Sequence, residues 1–162
     1  MSILIEPWRI PEEGKDIEGE MSPEVLALEK TAGVSAESPI TYSLHIQCVS
    51  NELIVTGTLS TDIRFTCSKC ADPFLVKIRD ASFFCEKQVE DLHETQDLTD
   101  EVRETIILDF PNYPVCQETC RGLCARCGVN LNRERCGCKP AEVDKWSAFS
   151  GLDKIEVKNG ST

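Results

Sequence analysis

From Ile40 the apolar residues recur at every second position, and that period dominates the middle of the chain. Ile40, Tyr42, Leu44, Ile46 and Cys48 share one face of an extended segment, with Thr41, Ser43, His45 and Gln47 on the other. After a turn at Ser50-Asn51 the odd positions take over: Leu53, Val55, Leu59, Ile63 and Phe65, with Gly57 marking a bulge or bend. A third strand runs from Phe74 to about Cys85. Its apolar phase starts on Phe74, Val76 and Ile78 and resumes on Ala81, Phe83 and Cys85, a one-residue slip that predicts a bulge near Arg79-Asp80. Short connections between half-apolar strands predict an antiparallel sheet with one buried face.

Helical signals are weaker. SILIEPWRI reads as a short strand broken by Pro7 and Pro11. Ser22-Pro23-Glu24 has an N-cap, a first-turn proline and an acid, and predicts a helix through VLALEK that stops near Gly33. The acidic stretch VEDLHETQDL reads as a solvated loop. Asp97 or Thr99 then caps a helix through DEVRETIILDF, with Val102, Ile106 and Phe110 at spacings of four and Pro111 as terminator. VDKWSAFSGLDKI has Trp146, Phe149 and Leu152 on one side of a short helix, and the tail VKNGST reads as disordered.

These elements predict an α+β fold: a mainly antiparallel β-sheet with a few short helices and a Cys-rich, zinc-stapled C-terminal segment. The expected organisation is a β-rich core at 1–112, a zinc-binding segment packed on it at 113–153, and a tail at 154–162.

Composition narrows the function. The chain has 162 residues, 41% of them apolar, and a formal charge of −11. No apolar run approaches the roughly 18 to 20 residues of a membrane span. The start, MSILIEPWRIPEEGKD, lacks the basic opening, apolar centre and cleavage site of a secretory signal, so a cytoplasmic location is expected. A strongly acidic chain is a poor non-specific coat for nucleic acid. The charge is uneven, however. Between Cys116 and Lys139, Arg121, Arg126, Arg133, Arg135 and Lys139 stand against Glu118 and Glu134, a local +3 that leaves −14 for the rest.

Ten cysteines in a reducing compartment point to metal ligands or catalytic thiols before disulfides. Cys48 and Cys85 continue the apolar faces of their strands and read as small buried hydrophobes. The other eight are grouped differently: Cys67-x2-Cys70 in a hairpin turn, Cys116-x3-Cys120, Cys124-x2-Cys127-Gly128, and Cys136-x-Cys138. A C-x2-C turn aims two sulfurs at one point, and four thiolates make a closed structural zinc site. One partition joins Cys67 and Cys70 to Cys116 and Cys120, leaving Cys124, Cys127, Cys136 and Cys138 for a second ion. Another joins the two C-x2-C knuckles. A third closes on Cys116, Cys120, Cys124 and Cys127 alone. One or two structural zinc ions follow. Thiol catalysis would need a C-x2-C at a helix N-terminus after a βαβ unit, which this pattern lacks. His45 on a polar strand face and His93 in an acidic loop read as surface residues. With no phosphate loop, nucleophile elbow or dinucleotide fingerprint, no enzymatic activity is expected.

The segment ETIILDFPNYPVCQETCRGLCARCGVNLNRERCGC resembles the signature of the bacterial YceD family, with its helix ending before a proline, P-x-C-x3-C, G-L-C-x2-C-G-x-N-L-N and final C-x-C. RFTCSKCADPF is similar to that family's C-x2-C hairpin. VDKWSAFSGL is similar to its closing segment, although Val143-Asp144-Lys145-Trp146 lacks the usual Pro-Arg before Trp. The resemblance implies a role in accumulation of 23S ribosomal RNA and assembly of the large ribosomal subunit, without known catalysis. The expected partner is 23S rRNA or a pre-50S particle, met by Arg121, Arg126, Asn130, Asn132, Arg133, Arg135 and Lys139. An alternative is an acidic module that chaperones a basic large-subunit ribosomal protein. A thiol redox sensor that ejects zinc on oxidation is the third. Neither a membrane nor a small-molecule substrate is expected.

Overall fold

A computed structural model describes residues 2–28 and 33–138. The expected helix at 143–155, the tail and Lys139 lie outside the described residues. The strands are β1 (Leu4–Ile5), β2 (Lys15–Met21), β3 (Val34–Ala36), β4 (Ile40–Val49), β5 (Glu52–Thr66), β6 (Pro73–Gln88) and β7 (Gln96–Asp97), and the helix is α1 (Thr99–Leu108). All pairings are antiparallel. β5 is the spine of the main sheet. β6 runs along one of its edges, while β4 and then β3 occupy the other, and β2 flanks β4. Among the described residues no helix is long and apolar enough to cross a membrane.

The alternation read from the sequence becomes the burial pattern. Leu44, Ile46, Leu53, Val55, Leu59, Ile63, Phe65 and Phe83 are buried on one face. They form a single core with Ile3 and Ile5, Leu26, and the α1 residues Val102 and Ile106. Cys85 is buried in this core and Cys48 packs at its margin, as small hydrophobes do. The register slip lies between Gly57 and Leu59 of β5, where Phe83 and Asp80 are the partners. The extra residue is thus at Ala81-Ser82, just past the expected site. Asp80 Oδ1 holds it by accepting from the Ser82 amide at 2.7 Å.

The short elements depart further from expectation. Where the helix predicted from Ser22 begins, the structure has a 3-10 turn, Pro23–Leu26, closed by Ala27 at φ 50°, and the predicted continuation over 29–32 lies outside the described residues. Ser22 does cap it, its hydroxyl accepting from the Glu24 amide at 3.4 Å. However, Leu26 is the one buried residue of this turn, with Val25 and Leu28 packed at the margin of the core, and the left-handed Ala27 stops the turn after Leu26. β2 was not expected, because KDIEGEM is so charged. Its Ile17 and Met21 alternate with Asp16, Glu18 and Glu20, and pairing opposite Leu44 and Ile40 recruits it. The acidic loop is likewise partly ordered: Val89 is buried, and β7 pairs with β1. In α1 the Asp97 carboxylate accepts from the Thr99 amide at 2.9 Å, and the helix ends at Leu108, ahead of Pro111. Phe110 then turns back to meet Phe65 edge-on, 5.2 Å between ring centroids.

Candidate metal centres

The β5–β6 hairpin ends in a knuckle. The Cys67 amide donates to the Asp72 carbonyl at 2.9 Å, and the Ala71 amide donates to the Cys67 carbonyl at 2.9 Å. The C-terminal segment repeats this turn. There the Cys124 amide donates to Val129 at 2.8 Å, and the Gly128 amide donates to Cys124 at 2.9 Å. Ala71 at φ 59° and Gly128 at φ 74° hold the same left-handed position. The two C-x2-C turns are therefore copies of one local structure, made by a hairpin in one case and by a loop in the other.

A backbone lattice joins them. Ser68 donates to the Pro114 carbonyl at 2.8 Å, and Leu123 donates to Lys69 at 3.0 Å. Gly122, at φ 74°, allows this approach, since a Cβ there would lie 2.9 Å from the Lys69 carbonyl oxygen.

The structure brings the eight clustered cysteines into two groups of four. Cys67, Cys70, Cys116 and Cys120 form one, and Cys124, Cys127, Cys136 and Cys138 the other, with all sulfurs of a group within 4.8 Å of one another. In the first, Cys67–Cys120 and Cys70–Cys116 are 3.9 and 3.7 Å apart. In the second, Cys127–Cys136 and Cys124–Cys136 are 3.5 and 3.3 Å apart. A tetrahedron with bonds of about 2.3 Å from metal to sulfur has edges of about 3.8 Å. Both donor sets thus fit a tetrahedrally coordinated ion.

Their surroundings differ. Cys67, Cys70 and Cys120 are buried, packed with Val115 and with Phe74, which also touches the sheet core. In the second group Cys127 and Cys138 are exposed.

The electrostatics also suit a cation. Burial pushes the Cys67 thiol up, but amide donors from Cys116, Cys70 and Lys69 outweigh it and bring the pKa down to about 6. The amides of Cys127 and Arg126 bring Cys124 to about 6. Conversely, burial and then the neighbouring Cys120 and Cys67 sulfurs push Cys116 up to about 12. The Cys136 and Cys127 sulfurs do the same to Cys138. Each group ionises one sulfur readily and resists ionising another, because close thiolates repel. A divalent ion at the centre removes that repulsion.

Sequence reasoning missed Asp72 and the internal partners of two asparagines. Asn130 is half-buried and Asn132 exposed, and both side chains bond within the site. Asn130 Nδ2 donates to Asp72 at 2.8 Å, and its Oδ1 accepts from the Asn132 amide at 3.0 Å. Asn132 Oδ1 accepts from the Arg121 amide at 2.8 Å, while its Nδ2 donates to the Cys120 sulfur at 3.3 Å and is the main cause of that thiol's lowered pKa. The spacing N-x-N carries no hint of this, because every partner except one lies on a distant turn. Arg133 pairs with Asp72 at 3.0 Å and stays exposed. Arg121, Arg126 and Arg135 are exposed and form no ion pair with a described residue.

The fold and site define a class: an antiparallel β-sheet protein whose hairpin tip and C-terminal segment carry two four-cysteine clusters able to hold metal ions. Residues 85–153 match the family described as large ribosomal RNA subunit accumulation protein YceD. The likeness of this chain to the YceD family is carried by these residues. It is 29% identical over 141 residues to an uncharacterised protein of Mycobacterium tuberculosis, covering 78% of this chain and 67% of that one. It is 35% identical over 66 residues to the large ribosomal RNA subunit accumulation protein YCED homolog 1, chloroplastic, of Arabidopsis thaliana. That match covers 40% of this chain and 21% of the plant protein. The Zea mays protein of the same name is 39% identical over 59 residues, 36% of this chain and 20% of its own length. No solved structure matches.

Proposed function

We propose that this chain is a non-enzymatic cytoplasmic factor that promotes 23S rRNA accumulation, and with it large-subunit assembly, through a surface held by two structural zinc ions. The carrying observation is that sulfurs from the hairpin and from the C-terminal segment meet in one cluster. The segment that bears Arg121, Arg126, Arg133 and Arg135 is thereby fixed to the sheet. The printed names of the plant relatives supply the rRNA context. All-thiolate tetrahedral sites favour zinc among the common divalent ions. The organisation we propose is a β core at 1–112 stapled to a zinc segment at 113–153.

On this reading the four arginines, joined by Lys139, face rRNA or a pre-50S particle. Asn130 and Asn132 belong to the same face and also hold the segment in shape through their side-chain hydrogen bonds. The acidic remainder confines binding to this face, since phosphate contacts depend on Lys and Arg.

The test is complementation of a strain lacking its own copy. Wild-type protein restores the ratio of 23S to 16S rRNA. A variant with Arg126, Arg133 and Arg135 changed to Glu, retaining its zinc, leaves the ratio low. Full restoration by that variant removes the patch from the mechanism. A second reading, an acidic chaperone for a basic ribosomal protein, is favoured by Asp16, Glu18 and Glu20 standing exposed along β2, an edge of the sheet. Co-purification of a free ribosomal protein at low salt, without rRNA, would support it.

A further inference from the structure

We propose that the groove beside the second cysteine cluster binds an unpaired nucleotide of RNA, its phosphates on the arginines and its base against Leu123, Leu131 and Glu134. This rests on the RNA-directed function above and specifies the form of RNA recognised. The groove has a volume of about 690 Å³ and is lined by Arg121, Arg126 and Arg135, by Leu123 and Leu131, and by Glu134, around the sulfurs of the cluster. Its size is that of a small-molecule site, larger than a shallow phosphate rest.

The lining separates two chemistries. Three guanidinium groups form no ion pair with a described carboxylate, and together they make a positive wall that would stabilise a bound anion. The leucines supply an apolar wall. Their positions are set by the backbone: Leu123 bridges to Asn130, and the Leu131 amide donates to the Gly122 carbonyl at 2.9 Å. The Glu134 amide is fixed on the Asn130 carbonyl at 3.0 Å.

An A-form duplex keeps its bases stacked inside and offers mainly phosphate, ribose and groove edges, whereas a looped-out nucleotide offers a flat base and an anion together. A concave site with cations and an apolar wall matches the second. Among the described groove residues none is aromatic, and the planar guanidinium groups are surfaces on which a base can stack. Glu134 repels phosphate but accepts from an exocyclic amino group. The site therefore prefers adenosine, cytidine or guanosine to uridine. An acidic peptide would also satisfy the arginines, yet it would bring more carboxylates to Glu134.

The experiment uses the full, zinc-loaded chain and fluorescence anisotropy with labelled single-stranded oligoadenosine, oligocytidine and oligouridine, an RNA duplex, and a labelled acidic peptide. We expect the single strands to bind more tightly than the duplex, and oligoadenosine more tightly than oligouridine. Arg126→Ala and Arg135→Ala, with unchanged zinc content, each weaken single-strand binding roughly tenfold. Arg126→Lys and Arg135→Lys keep the charge and the salt dependence but lose the preference for single strands. Glu134→Gln erodes the preference for oligoadenosine over oligouridine. Equal affinity for duplex and single strand, unchanged binding by the zinc-loaded arginine variants, or tighter binding of the peptide would each overturn the proposal. The wider function is judged separately by the rRNA ratio. If that ratio depends on the protein while no RNA binds, the groove proposal fails and the function stands. If the ratio is indifferent to the protein, the function fails whatever the groove binds.

Discussion

The Asp72 carboxylate accepts a hydrogen bond from the Asn130 side chain at 2.8 Å, joining the end of the first knuckle to the loop after the second across 58 residues. Its other oxygen meets Arg133 at 3.0 Å. One acid at the start of β6 thus organises the segment that carries the second cysteine cluster.

Asp72→Ala is expected to lower stability by about 1–2 kcal/mol, since it removes a hydrogen bond to a charged group and strands the Asn130 amide. Arg133→Ala removes only an exposed ion pair and should cost less than about 1 kcal/mol. Urea melts of the two zinc-loaded variants provide the comparison. Equal losses would show that the Asn130 contact contributes nothing.

Two clusters predict two zinc ions per chain by elemental analysis, and one in either Cys70→Ser or Cys138→Ser. The consequences for the fold should differ. Cys70 is buried beneath Phe74, so its loss loosens the end of the hairpin and lowers the melting temperature of the sheet. Cys138 is exposed, and its loss should leave that transition in place. A mild chelator should therefore remove one equivalent quickly, from the second cluster, and the other slowly.

The equivalent turns invite a reciprocal pair of substitutions. Ala71 bears a Cβ at φ 59°, so Ala71→Gly should stabilise by about 1 kcal/mol. Gly128→Ala meets no atom within 4 Å and should cost about the same, from backbone strain alone. Thermal melts on the holo-protein measure both. A destabilising Ala71→Gly would mean that the alanine methyl contributes packing the turn geometry does not reveal.

Gly57 faces a different constraint. A Cβ there would collide with the Ser43 carbonyl and the Leu44 backbone on the neighbouring strand. Gly57→Ala should cost about 1–3 kcal/mol through this overpacking, visible as a lower urea midpoint with the zinc content intact.

Asp97 stands beside Leu98, the N-cap of α1, and hydrogen bonds from the Thr99 hydroxyl and then its amide hold the carboxyl below its usual pKa. A carboxylate whose pKa is depressed on folding stabilises fully above its unfolded value, and that contribution is lost as pH falls through the folded value. Asp97→Ala should therefore cost about 1 kcal/mol at neutral pH, and the gap from wild type should close as the solution is acidified below about pH 4. Comparing the two proteins at each pH cancels the acid release of zinc. A gap that stays constant with pH would show that Asp97 does not act through its charge.

The sequence by itself determined whatever depends on neighbours in the chain. Period-two alternation specified β4, β5 and β6, because successive side chains of a strand point to opposite faces. The C-x2-C spacing specified the two knuckles, while the left-handed Ala71 after the first is seen only in the structure. Only the tertiary structure decided how the cysteines group. The knuckles are locally alike, so nothing in their spacing tells which of the remaining sulfurs each one faces. The hairpin tip settles this by meeting Cys116 and Cys120, about fifty positions further on. β2 depends on pairing in the same way, since its charged face is legible but the exposed edge of β4 that recruits it is not. Asn130 looks like polar surface in the sequence but is half-buried in the fold, because its partner Asp72 reaches it only when the hairpin and the C-terminal segment are joined.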